Sequence, residues 1–209
     1  MSGIADGITA LSNFLLAAAA IAGAVIAAMG LNTWKNQNIW TADAELARKA
    51  LLTIYRYRDS LYSIRHPAMF ISEMQLDEEE ASQLRDEEKR RQGVIDAYAK
   101  RWEKHTSARQ DLDAVLVEAD VVWGNELSEL AAVLKQLEHE LYTYVMLHLD
   151  AHYRGDTNLA EDYRKIIKDR RDILYDHLND EDIFRRDFTT AMRPIEKLLR
   201  SMLGRKSGR

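Results

Sequence analysis

The sequence predicts an all-α protein: one N-terminal transmembrane helix, then a cytoplasmic bundle of four to five long helices with coiled-coil-like packing. Three observations carry that expectation. Asp6 is the only charged side chain before Lys35, although Asp, Glu, Lys and Arg make up 30% of the 209 residues. Two prolines and nine glycines are few, which disfavours a turn-rich β protein. Beyond residue 41, apolar residues recur at steps of three and four, and no alternating strand-length segment competes with them.

The anchor comes first. Phe14 to Leu31 contains no polar side chain, and with the Ile8–Asn13 turn it exceeds the roughly 20 residues a helix needs to cross a bilayer core. A cleaved signal peptide would carry a positive n-region, whereas residues 1–13 hold only Asp6. Lys35, Arg48, Lys49, Arg56, Arg58 and Arg65 follow the apolar run, so the positive-inside rule places the C-terminal part in the cytoplasm. The expected divisions are a short exterior N-terminus (1–7), a transmembrane helix (8–31), an interfacial segment (32–41), a helical cytoplasmic domain (42–203) and a flexible tail (204–209). Trp34, Lys35 and Trp40 are the expected membrane-interface residues.

Small residues form rows at four-residue steps in the anchor, Ala19/Gly23/Ala27 and Ala20/Ala24/Ala28. Such rows let helices approach closely in lipid, and they also arise by chance in an Ala-rich span. Ala19, Gly23 and Ala27 are the candidate helix-association residues.

In the second part, Ala47, Ala50/Leu51, Ile54, Tyr57, Leu61 and Ile64 predict an amphipathic helix over 42–65 that can continue the anchor directly. His66-Pro67 ends it, because a residue before proline avoids the α region. After an apolar link to Leu76, the acidic run Asp77–Glu80 marks a helix start. From there Ile95, Tyr98, Trp102, His105, Leu112, Leu116, Ala119 and Trp123 keep one seam, broken by Arg109. A single long helix over 77–123 is expected.

Gly124-Asn125 combines a C′ glycine with an N-cap. The next stripe is Leu127, Leu130, Leu134, Leu137, Leu141, Tyr144 and His148, closed by Gly155. Asn158 and Glu161 suit a capping box for a helix running on through Ile173/Leu174 to Leu178. Asn179 or Asp180 is expected to cap a last helix, which Pro194 should kink or restart.

Chemistry has few candidates. His148 and His152 share a helix face at i, i+4, the spacing of a metal-ligand pair, with Glu138, His139 and Glu140 earlier on the helix and His177 as a possible third ligand. Leu149 stands where a zincin has glutamate, and no Glu-x-x-His pairs suit a di-iron bundle, so no metal or other cofactor is expected. Cysteine is absent, which excludes disulfides and thiol catalysis. No phosphate-cradling glycine loop or nucleophile elbow occurs, and a non-enzymatic role is expected.

The Tyr55–Arg65 segment mixes tyrosines and arginines, but acids outnumber bases beyond the anchor, so no nucleic-acid partner is expected. Residues 193–209 carry six basic residues to one acid; they suit anionic lipid or a last bundle helix equally. They also complement the acidic 73–88 run, within one chain or between chains.

The stretch Asn32-Thr-Trp-Lys, Ala47-x-x-Ala-Leu-Leu, Tyr57-Arg-Asp-Ser-Leu and Ile64-Arg-x-Pro67 resembles a scattered group of uncharacterised bacterial proteins. Those look like single-pass inner-membrane proteins with a helical cytoplasmic domain. The resemblance covers residues 10–67 and implies a bacterial or phage source, with no activity attached.

The leading expectation is a self-associating membrane scaffold that meets the lipid bilayer and further copies or another membrane protein. A pore-like or membrane-disrupting assembly and a metal-binding bundle stand behind it.

Overall fold

The computed structural model describes residues 2–154, 157–179 and 181–204. Among them are six helices and no strand: α1 (Ser2–Ile64), α2 (Glu78–Gln83), α3 (Asp86–Trp123), α4 (Glu126–His152), α5 (Thr157–Lys168) and α6 (Ile183–Gly204). The all-helical expectation holds.

α1 runs unbroken for 63 residues, about 95 Å at 1.5 Å per residue. No proline interrupts it. The Thr33 and Thr41 hydroxyls donate back to the Met29 and Gln37 carbonyls, both at 2.9 Å, so these polar side chains stay on the helix surface without opening it. Its last third carries the predicted stripe: Ala47, Ala50, Ile54, Tyr57, Leu61 and Ile64 are completely buried.

α1 packs against α3 and α6, and α4 closes the bundle against the same two helices, with α5 laid on α4. Neighbours are antiparallel. Trp123 donates to Asp43 at one end of the α1–α3 pair (3.0 Å), and Arg101 reaches the Ile64 carbonyl at the other (3.2 Å). Arg65 meets Asp182 at the start of α6, while Arg200 reaches Tyr55 further along (3.1 Å). The core joins Tyr98, Trp102, Leu112 and Leu116 of α3 to Leu134 and Leu141 of α4 and to Phe184, Phe188 and Leu199 of α6. Each large apolar side chain buried there contributes about 1.5–3 kcal/mol.

Several expectations change. The long helix expected over 77–123 is two helices, because Leu84 and Arg85 are extended (ψ 146° and 159°). The acids form two clusters and mark two helix starts. Asp86, Glu87 and Glu88 sit in the first turn of α3, and the Glu88 carboxylate accepts from the Arg85 backbone N–H at 2.9 Å. In the seam, Ile95 and Trp123 are only partly buried.

Gly124 ends α3 as expected, with φ +81° and its N–H on the Asp120 carbonyl at 3.1 Å. α4 ends at His152; Gly155, the expected terminator, lies outside the described residues.

The helix expected to reach Leu178 stops at Lys168. Beyond it, aspartate and asparagine side chains accept from the backbone and compete with helix. Asp172 takes the Leu174 N–H (3.2 Å), Asp176 the Leu178 N–H (2.9 Å) and Asn179 the Glu181 N–H (3.0 Å). Ile173 and Leu174 still reach the core from this irregular segment. Leu178 there has φ +57°, a left-handed conformation costing a leucine about 1–2 kcal/mol.

The cap of α6 is Asp182, whose carboxylate accepts the Arg185 N–H at 2.7 Å. Asn179 instead closes its own turn, and Asp180 is outside the described residues. α6 passes through Pro194 without restarting and includes Gly204; the rest of the expected tail, 205–209, is outside the described residues.

Candidate functional site

The first candidate is the free half of α1. Every described side chain from Phe14 to Ile39 is exposed, among them Phe14 and Ile26 at 70% each. One helix is therefore long and apolar enough to cross a membrane. Ala19, Gly23 and Ala27 are all exposed, and a Cβ added at Gly23 meets nothing within 4 Å. Trp34 and Lys35 are exposed and Trp40 is half-buried.

The bundle interior holds a polar centre shared by three helices. The Glu138 carboxylate of α4 accepts from the Tyr57 hydroxyl of α1 (2.7 Å) and from Arg109 of α3 (2.8 Å), with His105 Nε2 at 3.3 Å. On the far side of that imidazole, Nδ1 lies 2.8 Å from the Ser60 hydroxyl. Burial opposes ionisation of Glu138, yet His105, Tyr57 and Arg109 outweigh it and hold the carboxyl at about 2. Burial, with Glu138 beside it, pushes the Tyr57 phenol far up, so it stays a donor. Serine, histidine and glutamate in line are the residue types of an acyl-transfer triad. Ser60 lies inside α1, however, four residues before its end, its hydroxyl donating to the Tyr57 carbonyl at 2.8 Å, where backbone N–H groups are already bonded within the helix and cannot form an oxyanion hole. The arrangement ties α1, α3 and α4 in one register.

Two arginines secure the opposite end from the free helix. Arg65 is 1% exposed: its guanidinium donates to both Asp182 oxygens and to the Ile173 and Tyr175 carbonyls, and lies 4.6 Å over the Phe184 ring. Burial opposes the Asp182 charge, but Arg65 and two backbone N–H groups hold its carboxyl at about 2. Arg101, also buried, donates to the Ile64, His66 and Ala68 carbonyls and to Glu73 (2.8 Å), whose carboxyl it holds at about 2. Arg65 and Arg101 thus replace water for the carbonyls where α1 and its flanking loops end.

His148 and His152 do come together, their rings stacked with centroids 4.4 Å apart. His152 Nδ1 lies 3.0 Å from the His148 carbonyl, turned to its own helix. Burial, then His152, lowers the half-buried His148 to about 4, so it is neutral at pH 7. Among the described residues no group of three or more His, Asp or Glu is placed to hold a metal, and His177 does not join the pair.

The Tyr55–Arg65 segment reads as an exposed basic face, and the sequence does not announce that Arg65 and Arg101 are buried or that Glu138 centres a polar cluster. The available signal was phase: Glu138 is four residues after Leu134 and three before Leu141, inside the apolar stripe.

No protein-family model, curated protein or solved structure matches this chain. The resemblance of residues 10–67 gains no support from them.

Proposed function

We propose that this protein is a non-enzymatic scaffold, anchored by residues 8–31 in a bacterial inner membrane with its bundle in the cytoplasm. The observation that carries the reading is the continuity of α1. One helix leads from an exposed apolar rod into the centre of a packed, charged bundle, so position in a membrane and position of the bundle are mechanically one. In hydrocarbon the rod needs no partner for its backbone, since every peptide group inside the helix is bonded within it. The Ala19/Gly23/Ala27 face is open and suits close contact with a second copy.

The native absence of cysteine makes topology directly measurable. A membrane-impermeant maleimide should label a Ser2→Cys variant in intact spheroplasts and a Ser107→Cys variant only after lysis; the reverse pattern contradicts the orientation. Gly23→Leu should shift the detergent-solubilised protein toward smaller assemblies. A native protein that is already monomeric there contradicts self-association.

A further inference from the structure

Two irregular connections meet at the end of the bundle farthest from the free helix: residues 66–77 after α1 and residues 169–182 before α6. Each is pinned by a buried arginine. Loops held so firmly commonly turn apolar side chains inward, but Phe70, Ile71 and Leu178 are 64%, 88% and 62% exposed. Leu178 is also the only non-glycine residue with positive φ among the described residues, held there by Asp176. Glycine would occupy that conformation without strain, whereas this chain presents a leucine to solvent.

Phe70 and Leu178 rim a hollow of about 290 Å³ that reaches Tyr62 and Arg101. Through Arg185 it adjoins a second hollow of about 280 Å³ on α6, lined by Arg186, Thr189, Thr190 and Arg193. Arg186 and Arg193 are exposed, two turns apart on one face, and neither pairs with a carboxylate among the described residues. Of the acids nearby, Asp182 is engaged by Arg65, Asp176 by Arg185, Glu73 by Arg101 and Asp187 by Arg171, while the exposed Glu181 pairs with no base among the described residues.

We propose that this end of the bundle docks an acidic peptide segment of a second protein, an apolar side chain entering the Phe70–Leu178 hollow and carboxylates meeting Arg186 and Arg193. The proposal rests on the scaffold reading for the partner's location and names that partner's chemistry. Arginines without an ion-pair partner among the described residues, beside an apolar rim, select negative charge and an apolar anchor together. Lipid fits poorly, because Ile64 stands about 50 Å along α1 from Leu31. A second copy meeting this end with its own would set arginine against arginine.

The test uses the purified full chain in detergent micelles and three short fluorescent peptides: one of glutamate with leucine and phenylalanine, one with lysine replacing glutamate, and one with serine replacing the apolar residues. Fluorescence anisotropy should show the first binding at least about ten-fold tighter than either control. The double variant R186E/R193E should erase that preference. Leu178→Gly should weaken binding about five-fold or more while the melting temperature holds or rises, since glycine relieves the left-handed strain. Equal binding of all three peptides, or binding indifferent to both variants, overturns the proposal. A fall in melting temperature with Leu178→Gly assigns that leucine to folding and overturns its docking role. Loss of self-association in R186E/R193E assigns the face to a second copy, and displacement of the peptide by phosphatidylglycerol micelles assigns it to lipid; either overturns the proposal. Binding in micelles does not depend on orientation in a cell, so this result and the cysteine-labelling result fail separately.

Discussion

The two ends of α1 share one backbone and differ in everything their side chains do. From Phe14 to Leu31 the helix is apolar on all sides and every described side chain is exposed; from Leu46 to Ile64 it is apolar on one stripe, which is buried, with Arg48, Lys49 and Arg56 on the exposed side. Peptide groups are satisfied identically in both. The side-chain period alone decides the medium: an all-round apolar surface suits hydrocarbon, and a stripe suits a protein interior with water opposite. The polar groups differ too. Phe14 to Leu31 has no charged side chain, whereas a fully buried one, Arg65, stands just past the end of the packed half.

That contrast can be broken from the bundle side without touching the anchor. Arg65→Ala leaves Asp182 charged and unpaired in the interior and frees two loop carbonyls, an expected loss of about 3–5 kcal/mol in bundle stability by chemical denaturation. Extraction from membranes should still require detergent. A similar experiment needs only acid. Asp182, Glu138 and Glu73 titrate at about 2 in the folded protein, below the ordinary carboxylate value near 4. Their folded pKa values are depressed, so their contribution is complete above about pH 4 and disappears as pH falls toward 2. Thermal melts across that window should lose on the order of a few kcal/mol, and Asp182→Asn should flatten the dependence. Gly93→Ala is smaller: its Cβ would stand 2.7 Å from the Met74 carbonyl oxygen, backbone that must shift, with an expected cost of about 1–3 kcal/mol. Smallest is Lys49→Ala. Its ion pair with Glu118 is about half exposed on both sides, and denaturation should change by no more than about 0.5 kcal/mol.

Much of this architecture was legible as local pattern. The stripe from Ala47 to Ile64, the stop at His66-Pro67 and the glycine at 124 are short-range signals, and the chain obeys each of them. The failures occurred where side chains compete with the helix or where partners come from far along the chain. Nothing near Leu84 announces an extended residue except the second acidic cluster that follows it. Asp172 and Asp176 read as helix surface and Asn179 as a helix cap, although all three accept from the backbone and make turns. Arg65 and Arg101 look like solvated charges because their acceptors are carbonyls and carboxylates 28 to 117 residues away. The paired loops at the far end, with the hollow they rim, are therefore a tertiary product with almost no sequence signature.

The central claim is that the free half of α1 lies in a bilayer while the rest folds independently of it. Alkaline carbonate extraction of membranes expressing the native chain and an Ala20→Arg/Ala24→Arg variant tests this most directly, since two arginines at mid-span oppose insertion by about 2.5–3.5 kcal/mol each. The native chain should remain in the membrane pellet. The variant should pass to the supernatant with the melting temperature of its bundle unchanged. A native chain released by carbonate and soluble without detergent would contradict the account.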